Sequence, residues 1–338
     1  MTVTKRSSVT LADVAAAAGV SRSTASRALN GSPRISKRTT ERILHIANDM
    51  GFIPNAQGRA LAVGRTETIA ILITEPLDEL FDDPTYAAFI SGITEKLGES
   101  SYLPVLLQAA DDSERQRVQQ HLERRAFDAV IDISPYTDDY LLGEIRKLSI
   151  PCVLLGQMEN HPYDGIFSIV YSDDAHGARI AAQAMRERGK SHPVAILGPQ
   201  GNPASPDRLS GYRAVYLNEL TDERVLFAGW DASAGFSAMM RLLDRHRDID
   251  GLLAGSDRIA AGAIEAIRQH GLSVPEDIAV VGFDDHPIAS GTNPPLTTIR
   301  QPLREEGSTA ADLAMRMIDG EAPTTVIKHM TLTERASL

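Results

Sequence analysis

Residues 9–30 read VTLADVAAAAGVSRSTASRALN and predict two short helices joined by a tight turn. Thr10 and Asp13 form a short-armed variant of the capping box that begins a helix, and Gly19 ends that helix. Ser21 is placed to cap a second helix, whose outer face carries hydroxyl and basic side chains. These are Arg22, Ser23, Ser26 and Arg27. This arrangement is typical of the helix pairs that enter the major groove of DNA, where arginine is the usual partner of guanine.

A third helix is predicted over Lys37–Met50, with Ser36 as its N-cap. One face of this helix carries an apolar stripe, which consists of Ile43, Ile46, Ala47 and Met50. An alanine-rich helical hairpin inside an enzyme has similar spacing. The pattern of helices alone therefore leaves both interpretations open.

The distribution of charge separates this segment from the rest of the chain. Residues 1–65 contain ten Lys or Arg and three Asp or Glu, a net charge of +7. Because the whole chain of 338 residues carries −11, residues 66–338 carry −18. A basic segment on an acidic body is typical of a protein in which only the basic part meets DNA phosphates.

The stretch from Thr10 to Asn30 resembles the DNA-binding headpiece of the lactose-repressor family of bacterial transcription regulators, whose usual pattern is TLxDVAxxAGVSxxTVSRxLN. The resemblance implies that Arg22, Ser23 and Arg27 read the bases of the operator. It also assigns Ser21 and Ser26 to contacts with DNA phosphates. The DNA-binding candidates of this segment are Thr10, Ser21, Arg22, Ser23, Ser26, Arg27 and Asn30.

Residues 52–66, FIPNAQGRALAVGRT, match the hinge of that family. A short helix is predicted over residues 55–62, and Gly58 weakens it by about 1 kcal/mol relative to alanine. In the family, two hinge helices pair across a dimer on DNA and each inserts a leucine into the minor groove. The resemblance implies this role for Leu61, together with a DNA contact for Asn55. An ordinary position in the core of the helix is the alternative for Leu61.

From residue 68 onward, short β-branched runs alternate with amphipathic helices, which predicts parallel sheets covered by helices. The predicted strands are Ile69–Ile73, Leu103–Leu107, Ala129–Ile133, Cys152–Leu155, Val194–Leu197, Val225–Ala228, Gly251–Ala254 and Ile278–Phe283. The predicted helices include Tyr86–Leu97, Ser113–Arg124, Ala175–Arg188, Asp207–Asn218, Ser233–Arg245 and Asp257–His270. So many strands fit two Rossmann-like lobes better than one, with a ligand site between the lobes at the carboxyl ends of the strands.

The predicted fold class is a small all-α helix-turn-helix headpiece followed by an α/β core of two Rossmann-like lobes. The predicted boundaries are 1–51 for the headpiece, 52–66 for the hinge and 67–338 for a core that binds ligand and dimerises. The family resemblance extends over essentially the whole chain and implies a periplasmic-binding-protein-like core. Its two lobes are expected at about 67–166 plus 300–327 and at about 167–299 plus 328–338.

The strongest anchor of the resemblance in the core is residues 271–302, which contain a Gly-Phe-Asp-Asp sequence. The resemblance implies that Asp284 holds ligand hydroxyls, that Arg208 reaches into the cleft and that Trp230 stacks on the ligand. A carboxylate and a guanidinium suit vicinal hydroxyls, and aromatic faces cover the apolar side of a pyranose or a base. The ligand-binding candidates are Tyr86, Arg208, Trp230, Ser256, Asp257, Asp284 and Leu303. Ordinary buried positions for the two aromatic residues, and a turn-capping role for Asp284, are the alternatives.

Composition and motif content limit the other possibilities. The single cysteine, Cys152, forms no internal disulfide, and we expect a small buried side chain in a reducing compartment. The N-terminal segment lacks the apolar run of a signal peptide, and no run approaches the length of a membrane span, so we expect a cytoplasmic protein without a membrane partner. The sequence has no GxSxG, HExxH, CxxC or strand-linked GxGxxG motif, and we therefore expect neither an enzyme nor a metal or cofactor site.

The predicted function is a DNA-binding transcriptional regulator, a repressor by resemblance, that is controlled by a small sugar-like effector bound between the lobes. We expect a homodimer on a pseudo-palindromic double-stranded operator, because two-fold dimers read two half-sites. The C-terminal tail TLTERASL lacks the leucine heptads of a tetramerising coil. One alternative is a carbohydrate-binding transport protein, which the basic headpiece opposes. The other is a cytoplasmic α/β enzyme that acts on carbohydrate, which the missing catalytic motifs oppose.

Overall fold

The computed structural model of the protein describes residues 9–53, 64–135, 139–156 and 162–338. The chain divides into two compact units, Met1–Glu67 and Thr68–Leu338. The central part of the predicted hinge, with Asn55, Gly58 and Leu61, lies outside the described residues. The roles of those residues stay predictions.

The described part of the first unit contains three short helices: α1 (Leu11–Ala17), α2 (Arg22–Leu29) and α3 (Lys37–Asp49). The predicted capping box is confirmed, because the Asp13 amide donates to Thr10 Oγ1 and the Thr10 amide donates to the Asp13 carboxylate. Ser21 and Ser36 cap α2 and α3 by accepting a backbone N–H from the first turn. Gly19 has a φ of +62° in the turn between α1 and α2, a conformation that glycine adopts without strain.

Small side chains fill the interior of this headpiece. The buried cluster is mostly alanine and consists of Val14, Ala15, Ala18, Ala25, Ala28, Ile43 and Ala47. Alanine lets neighbouring helices approach closely but buries little apolar area, so a unit of this size has a modest stability of its own.

The described part of the second unit contains two six-stranded sheets, each covered by helices. The strands are β1 (Thr68–Ile73), β2 (Leu103–Gln108), β3 (Ala129–Asp132), β4 (Cys152–Leu155), β5 (Ser168–Ser172), β6 (Pro193–Leu197), β7 (Val225–Phe227), β8 (Gly251–Ala254), β9 (Ala279–Asp284), β10 (Thr297–Arg300), β11 (Thr325–Lys328) and β12 (Thr331–Thr333). The first sheet has the strand order β11-β5-β4-β3-β1-β2 and is parallel throughout. The second has the order β12-β10-β9-β8-β6-β7 and is parallel except for the last strand, β12, which runs antiparallel to β10. The predicted pair of Rossmann-like lobes is confirmed.

Helices connect most of the strands and cover the sheets. They are α4 (Leu77–Asp82), α5 (Pro84–Leu97), α6 (Asp112–Glu123), α7 (Asp139–Lys147), α8 (Asp174–Glu187), α9 (Ala204–Val215), α10 (Ala232–Arg245), α11 (Asp257–Gln269), α12 (Ile288–Gly291) and α13 (Leu303–Ile318). Helix α9 begins three residues before the start that the sequence predicts. Pro206 is therefore in its first turn, where a missing N–H breaks no intrahelical hydrogen bond.

The chain passes between the lobes three times: after β5, after β10 and after β11. The sequence places the end of the first segment of the first lobe at about residue 166, but β5 (Ser168–Ser172) pairs with β4 in the first sheet. The first crossing therefore follows Ser172. The other two crossings lie close to the predicted boundaries at residues 300 and 328.

Four strands are absent from the predicted set, namely β5, β10, β11 and β12. They occupy the edge of each sheet at which the lobe crossings lie, and they contain serine, threonine, lysine or arginine among their few apolar residues. Short strands of this composition give no continuous apolar run, and the sequence therefore carries a weak signal for them.

Two features are absent from the described part of the chain, a membrane-spanning helix and a cluster of metal-binding side chains. This part contains no helix long and apolar enough to cross a membrane and no cluster of three or more His, Cys, Asp or Glu side chains that could hold a metal ion. Cys152 is fully buried in β4, as predicted for a small hydrophobic side chain.

Candidate functional site

The outer face of α2 presents the side chains that the sequence assigns to DNA. Arg22, Ser23 and Arg27 are exposed, whereas Ala25 and Ala28 on the opposite face are buried. The Ser21 hydroxyl is also exposed and accepts the Thr24 amide at 3.1 Å. The remaining candidates, Thr10, Ser26 and Asn30, are exposed or half-buried. The helix thus carries two arginines on a surface that the fold of the headpiece leaves open.

A cleft of about 700 Å³ lies in the second unit, between its two lobes. Its walls are formed at the carboxyl ends of strands from both sheets. Ile133 and Leu155 mark the ends of β3 and β4 in the first lobe, and Ser256 and Asp284 mark the ends of β8 and β9 in the second. This is the position at which open parallel sheets bind ligands.

Arg208 on α9 lines the cleft and makes three polar contacts, and only 5% of its surface is exposed. Its Nε donates to Asp174 Oδ1 at 2.7 Å, and its Nη2 lies 3.2 Å from Asp284 Oδ1. A third contact joins Nη1 to the carbonyl oxygen of Gly255. Burial opposes the charged form, but Asp174 and Asp284 outweigh burial and raise the pKa of the guanidinium, so Arg208 stays protonated. These contacts fix the positions of Arg208, Asp174 and Asp284 relative to one another in the wall of the cleft.

Aromatic rings complete the surroundings of this ion pair. The guanidinium carbon of Arg208 lies 3.7 Å from the centre of the Phe283 ring and 5.6 Å from that of Trp230. Trp230 lines the cleft on the second lobe, and Tyr86 lines it on the first. Gly198 is packed so closely against Trp230 that a Cβ there would meet the indole at 2.3 Å. The indole is therefore held in place by backbone on its other side.

Five of the seven ligand-binding candidates line the cleft: Tyr86, Arg208, Trp230, Ser256 and Asp284. The placement of Asp257 and Leu303 in the cleft is not supported. Asp257 is fully buried beneath it, where the carboxylate accepts the His286 amide at 2.7 Å and the Thr298 hydroxyl at 2.5 Å. Leu303 belongs to the apolar core of the first lobe. Both follow directly on cleft-lining segments, and the local turn of the chain points their side chains inward.

Several cleft residues are absent from the candidates that the sequence provides. Asp174, at the start of α8, and His286, two residues beyond Asp284, both line the cleft and are buried. The sequence signal for His286 is its place in the Asp-Asp-His-Pro turn after β9. Asp174 gives no comparable signal, because its partner Arg208 is 34 residues away and the pairing exists only in the folded chain.

Among the described residues, two polar contacts join the lobes across the cleft. His286 Nε2 lies 3.2 Å from Thr85 Oγ1, and Arg258 Nη1 lies 3.2 Å from Asp83 Oδ2. Thr85 and Asp83 belong to the first lobe, at the start of α5, whereas both partners belong to the second. These contacts depend on the distance between the lobes and hence on how far the cleft is closed.

The described lining of the cleft is strongly acidic. It has two guanidiniums, Arg208 and Arg258, and seven carboxylates, which are Glu75, Asp78, Asp82, Asp83, Asp174, Asp231 and Asp284. With histidine neutral, the formal charge of this lining is −5. Such a surface repels a bound anion.

Comparisons with known proteins agree with this geometry. A family model described as "Bacterial regulatory proteins, lacI family" matches residues 10–55, and one described as "Periplasmic binding protein-like domain" matches residues 169–338. The "HTH-type transcriptional regulator CelR" of Thermobifida fusca is 34% identical over 98% of this chain and 99% of its own length. The "Ribose operon repressor" of Escherichia coli (strain K12) is 30% identical over 96% of this chain and 97% of its own length.

Two solved structures extend the comparison to the fold. A transcriptional regulator CelR–cellobiose complex is 33% identical, has a TM-score of 0.76, and covers 97% of this chain and 99% of its own. A lac repressor dimer bound to operator and the anti-inducer ONPF is 24% identical, with a TM-score of 0.82 over 98% of this chain and 99% of its own, and shows the shared fold. With the exposed arginines of α2 and the cleft between two Rossmann-like lobes, these matches identify the chain as a DNA-binding transcription regulator rather than an enzyme. The chain belongs to the LacI family of bacterial regulatory proteins.

Proposed function

We propose that an uncharged sugar, bound in the cleft between the lobes, controls the affinity of this regulator for its operator. The observation that carries the proposal is the ion pair of Arg208 with Asp174 and Asp284 beside the Trp230 ring. Carboxylate oxygens and guanidinium N–H groups bind vicinal hydroxyls in complementary directions, and an indole face covers the apolar side of a pyranose.

The charge of the cleft narrows the class of sugar. Because the described lining carries a formal −5, a phosphorylated sugar or a uronate would meet net repulsion on entry. The guanidinium of Arg208 offers little compensation, since two carboxylates already neutralise it. A neutral sugar loses nothing by this arrangement and gains hydrogen-bond acceptors from the carboxylates.

The size of the cleft and the comparisons suggest cellobiose as the first sugar to test. The volume of about 700 Å³ lies within the range of roughly 300–1,000 Å³ that is usual for clefts with drug-sized ligands, so a disaccharide fits. The relative solved as a cellobiose complex is 33% identical over 97% of this chain. Asp257 and Leu303 are buried away from the cleft and make no contact with the sugar in this proposal.

The mechanism follows from linkage between the two units. A homodimer places two headpieces on two half-sites of a pseudo-palindromic operator, and Arg22, Ser23 and Arg27 of each copy read the bases. A sugar that prefers one degree of closure of the cleft shifts the population of that state. Operator affinity then changes by the difference in sugar affinity between the two states, typically about 1–3 kcal/mol.

The test measures sugar binding and DNA binding separately on the intact chain. Calorimetric titration with cellobiose, cellobionate and glucose 1-phosphate gives the ligand preference, and we expect binding of cellobiose alone. Fluorescence anisotropy with a labelled duplex from the DNA upstream of the protein's own gene gives the operator affinity. Saturating cellobiose is expected to change that affinity by about 5–150-fold in one direction.

Different results contradict different parts of the proposal. Tighter binding of the two anionic sugars than of cellobiose would contradict the charge argument. Sugar binding that leaves operator affinity unchanged would contradict control through the cleft. A duplex of scrambled sequence is the control for salt-sensitive, non-specific binding.

A further inference from the structure

We propose that His286 couples sugar binding to closure of the lobes: its Nδ1 edge and Asp284 together bind one sugar hydroxyl, while its Nε2 edge holds Thr85 of the opposite lobe. This inference rests on the proposed sugar effector and assigns a specificity-determining residue within the same site. Three observations carry it, one for each edge of the imidazole and one for its backbone.

The backbone fixes the position of the ring. Asp284 and Asp285 have φ values of +97° and +59°, so the chain turns sharply at the end of β9. The amide of His286 then donates to the carboxylate of Asp257 at 2.7 Å, and the hydroxyl of Thr298 donates to the other oxygen of that carboxylate at 2.5 Å. The buried Asp257 is therefore a support for His286. Its inward position, which excludes a direct ligand contact, suits this role.

The Nε2 edge faces the first lobe. It lies 3.2 Å from Thr85 Oγ1, and the Thr85 amide donates to Asp83 Oδ1 at 2.9 Å in the N-terminal cap of α5. Only 5% of His286 is exposed, so this contact is largely shielded from solvent. Opening of the cleft separates the two lobes and breaks the contact.

The Nδ1 edge has no hydrogen-bond partner among the described residues, although the atom is buried and the residue lines the cleft. Its nearest acidic atom is Asp284 Oδ2 at 3.9 Å, which is too far for a direct hydrogen bond. A single hydroxyl oxygen can lie about 2.8 Å from both atoms at once. Buried polar atoms are nearly always hydrogen-bonded in folded proteins, and a ligand hydroxyl at this point satisfies both groups.

The donors and acceptors in the series of hydrogen bonds from Thr85 to Asp284 are mutually consistent. In the proposed arrangement the Thr85 hydroxyl donates to Nε2, which places the proton on Nδ1. Nδ1–H then donates to the sugar hydroxyl, and that hydroxyl donates to Asp284 Oδ2. The other oxygen, Asp284 Oδ1, stays with Arg208. The sugar hydroxyl and the first lobe thus select the same tautomer of His286.

The experiment uses cellobiose and a set of its monodeoxy derivatives, with calorimetry on the intact wild-type chain and on two variants. In the wild type, removal of one particular hydroxyl should weaken binding at least about tenfold. His286→Gln keeps an amide near the Nε2 position and loses Nδ1, so the penalty for that one hydroxyl should fall at least about fivefold, with the other penalties unchanged. Thr85→Val should weaken binding of every sugar and should also lower the penalty for that same hydroxyl, because the contact at Nε2 no longer favours the Nδ1–H tautomer.

The opposite pattern overturns the inference. If His286→Gln leaves all the penalties unchanged, or lowers the affinity of every derivative equally, His286 reads no individual hydroxyl. If Thr85→Val leaves that penalty unchanged, or lowers the penalty for a different hydroxyl, the contact with the first lobe does not act on the sugar contact through His286. Trp230 emission and thermal unfolding verify that each variant is folded.

A ligand-free measurement separates this inference from the proposed function. Imidazole ¹⁵N NMR of the wild-type chain without sugar should show His286 as the Nδ1–H tautomer, and Thr85→Val should shift its signals. If cellobiose does not bind, the sugar assignment fails, and the NMR result alone decides the role of His286. An Nε2–H tautomer, or signals that Thr85→Val does not move, overturns it.

Discussion

A buried glutamate near the lobe crossings makes the stability of the core depend on pH. Glu306 lies in the first turn of α13, just after the second crossing, and only 1% of it is exposed. The Ser172 hydroxyl, at the first crossing, donates to Glu306 Oε1 at 2.5 Å. Burial raises the pKa of Glu306 to about 7 from the ordinary 4.5; the Ser172 hydrogen bond opposes this, and the charge of Asp174 adds to it.

The raised pKa of Glu306 sets the size and the direction of the effect. The folded state binds the proton more tightly than the unfolded chain, so the contribution to stability is greatest below the unfolded pKa of 4.5. It falls as the pH rises from about 4.5 to about 7 and stays low above that range. A pKa difference of about 2.5, at 1.36 kcal/mol per pKa unit, corresponds to about 3 kcal/mol. Glu306→Gln removes the titration and keeps an oxygen that can accept the Ser172 hydroxyl.

The assay is urea unfolding of the intact chain at pH 5 and pH 8, followed by tryptophan fluorescence. Trp230 is the only tryptophan and lies in the core, so its emission reports unfolding of the core rather than of the headpiece. We expect Glu306→Gln to gain about 2–3 kcal/mol over the wild type between pH 5 and pH 8. Glu305→Gln, at an exposed position one residue away, is the control. A difference between Glu306→Gln and wild type that does not change with pH, or that decreases from pH 5 to pH 8, would refute the reasoning.

Three further predictions concern the headpiece, the packing of the core and the cleft. Arg27→Ala should reduce specific operator affinity by about 1–3 kcal/mol without changing the thermal stability, measured by anisotropy and circular dichroism. Gly92→Ala should destabilise the core by about 2 kcal/mol or more in urea, because the new Cβ would lie 1.9 Å from a carbonyl oxygen of α13, whereas Gly143→Ala, with open space around it, should stabilise the core by about 0.5–1 kcal/mol. Arg258→Met removes a partly exposed ion pair across the cleft and should change the calorimetric sugar affinity by less than about 1 kcal/mol.

Local chemistry explains which parts of the fold the sequence predicts. The caps at Thr10, Ser21 and Ser36 are each satisfied within three residues, so the sequence alone contains both partners. Strands such as β1 and β8 are buried on both faces and form continuous apolar runs, which identify them. Strands β5 and β10 contain serine and threonine beside their apolar residues and therefore form no continuous apolar run. Strand β5 also pairs with β11, which follows it by more than a hundred residues, and no local pattern encodes that pairing.

The two candidates that lie outside the cleft show where such reasoning ends. Ser256 and Asp257 are neighbours at the start of α11, and the sequence places both at the cleft. The Ser256 hydroxyl caps the helix at the surface of the cleft, whereas the next side chain, a third of a helical turn further on, points into the sheet beneath. A one-residue step on a helix rotates a side chain by about 100°, so a family pattern that fixes the element does not fix each side chain.

The net negative charge of the core affects both its contact with DNA and the ligands that its cleft accepts. Residues 66–338 carry a net charge of −18, so DNA phosphates repel this part of the chain. In the described lining of the cleft, seven of those carboxylates lie together with two guanidiniums. The same excess of acid that leaves DNA contact to the headpiece therefore also disfavours anionic metabolites in the cleft. Under the proposed function, replacing the exposed Asp78 and Asp82 by asparagine should reduce the calorimetric preference for cellobiose over cellobionate. The operator affinity of the sugar-free chain, measured by anisotropy, should not change, because neither residue belongs to the headpiece.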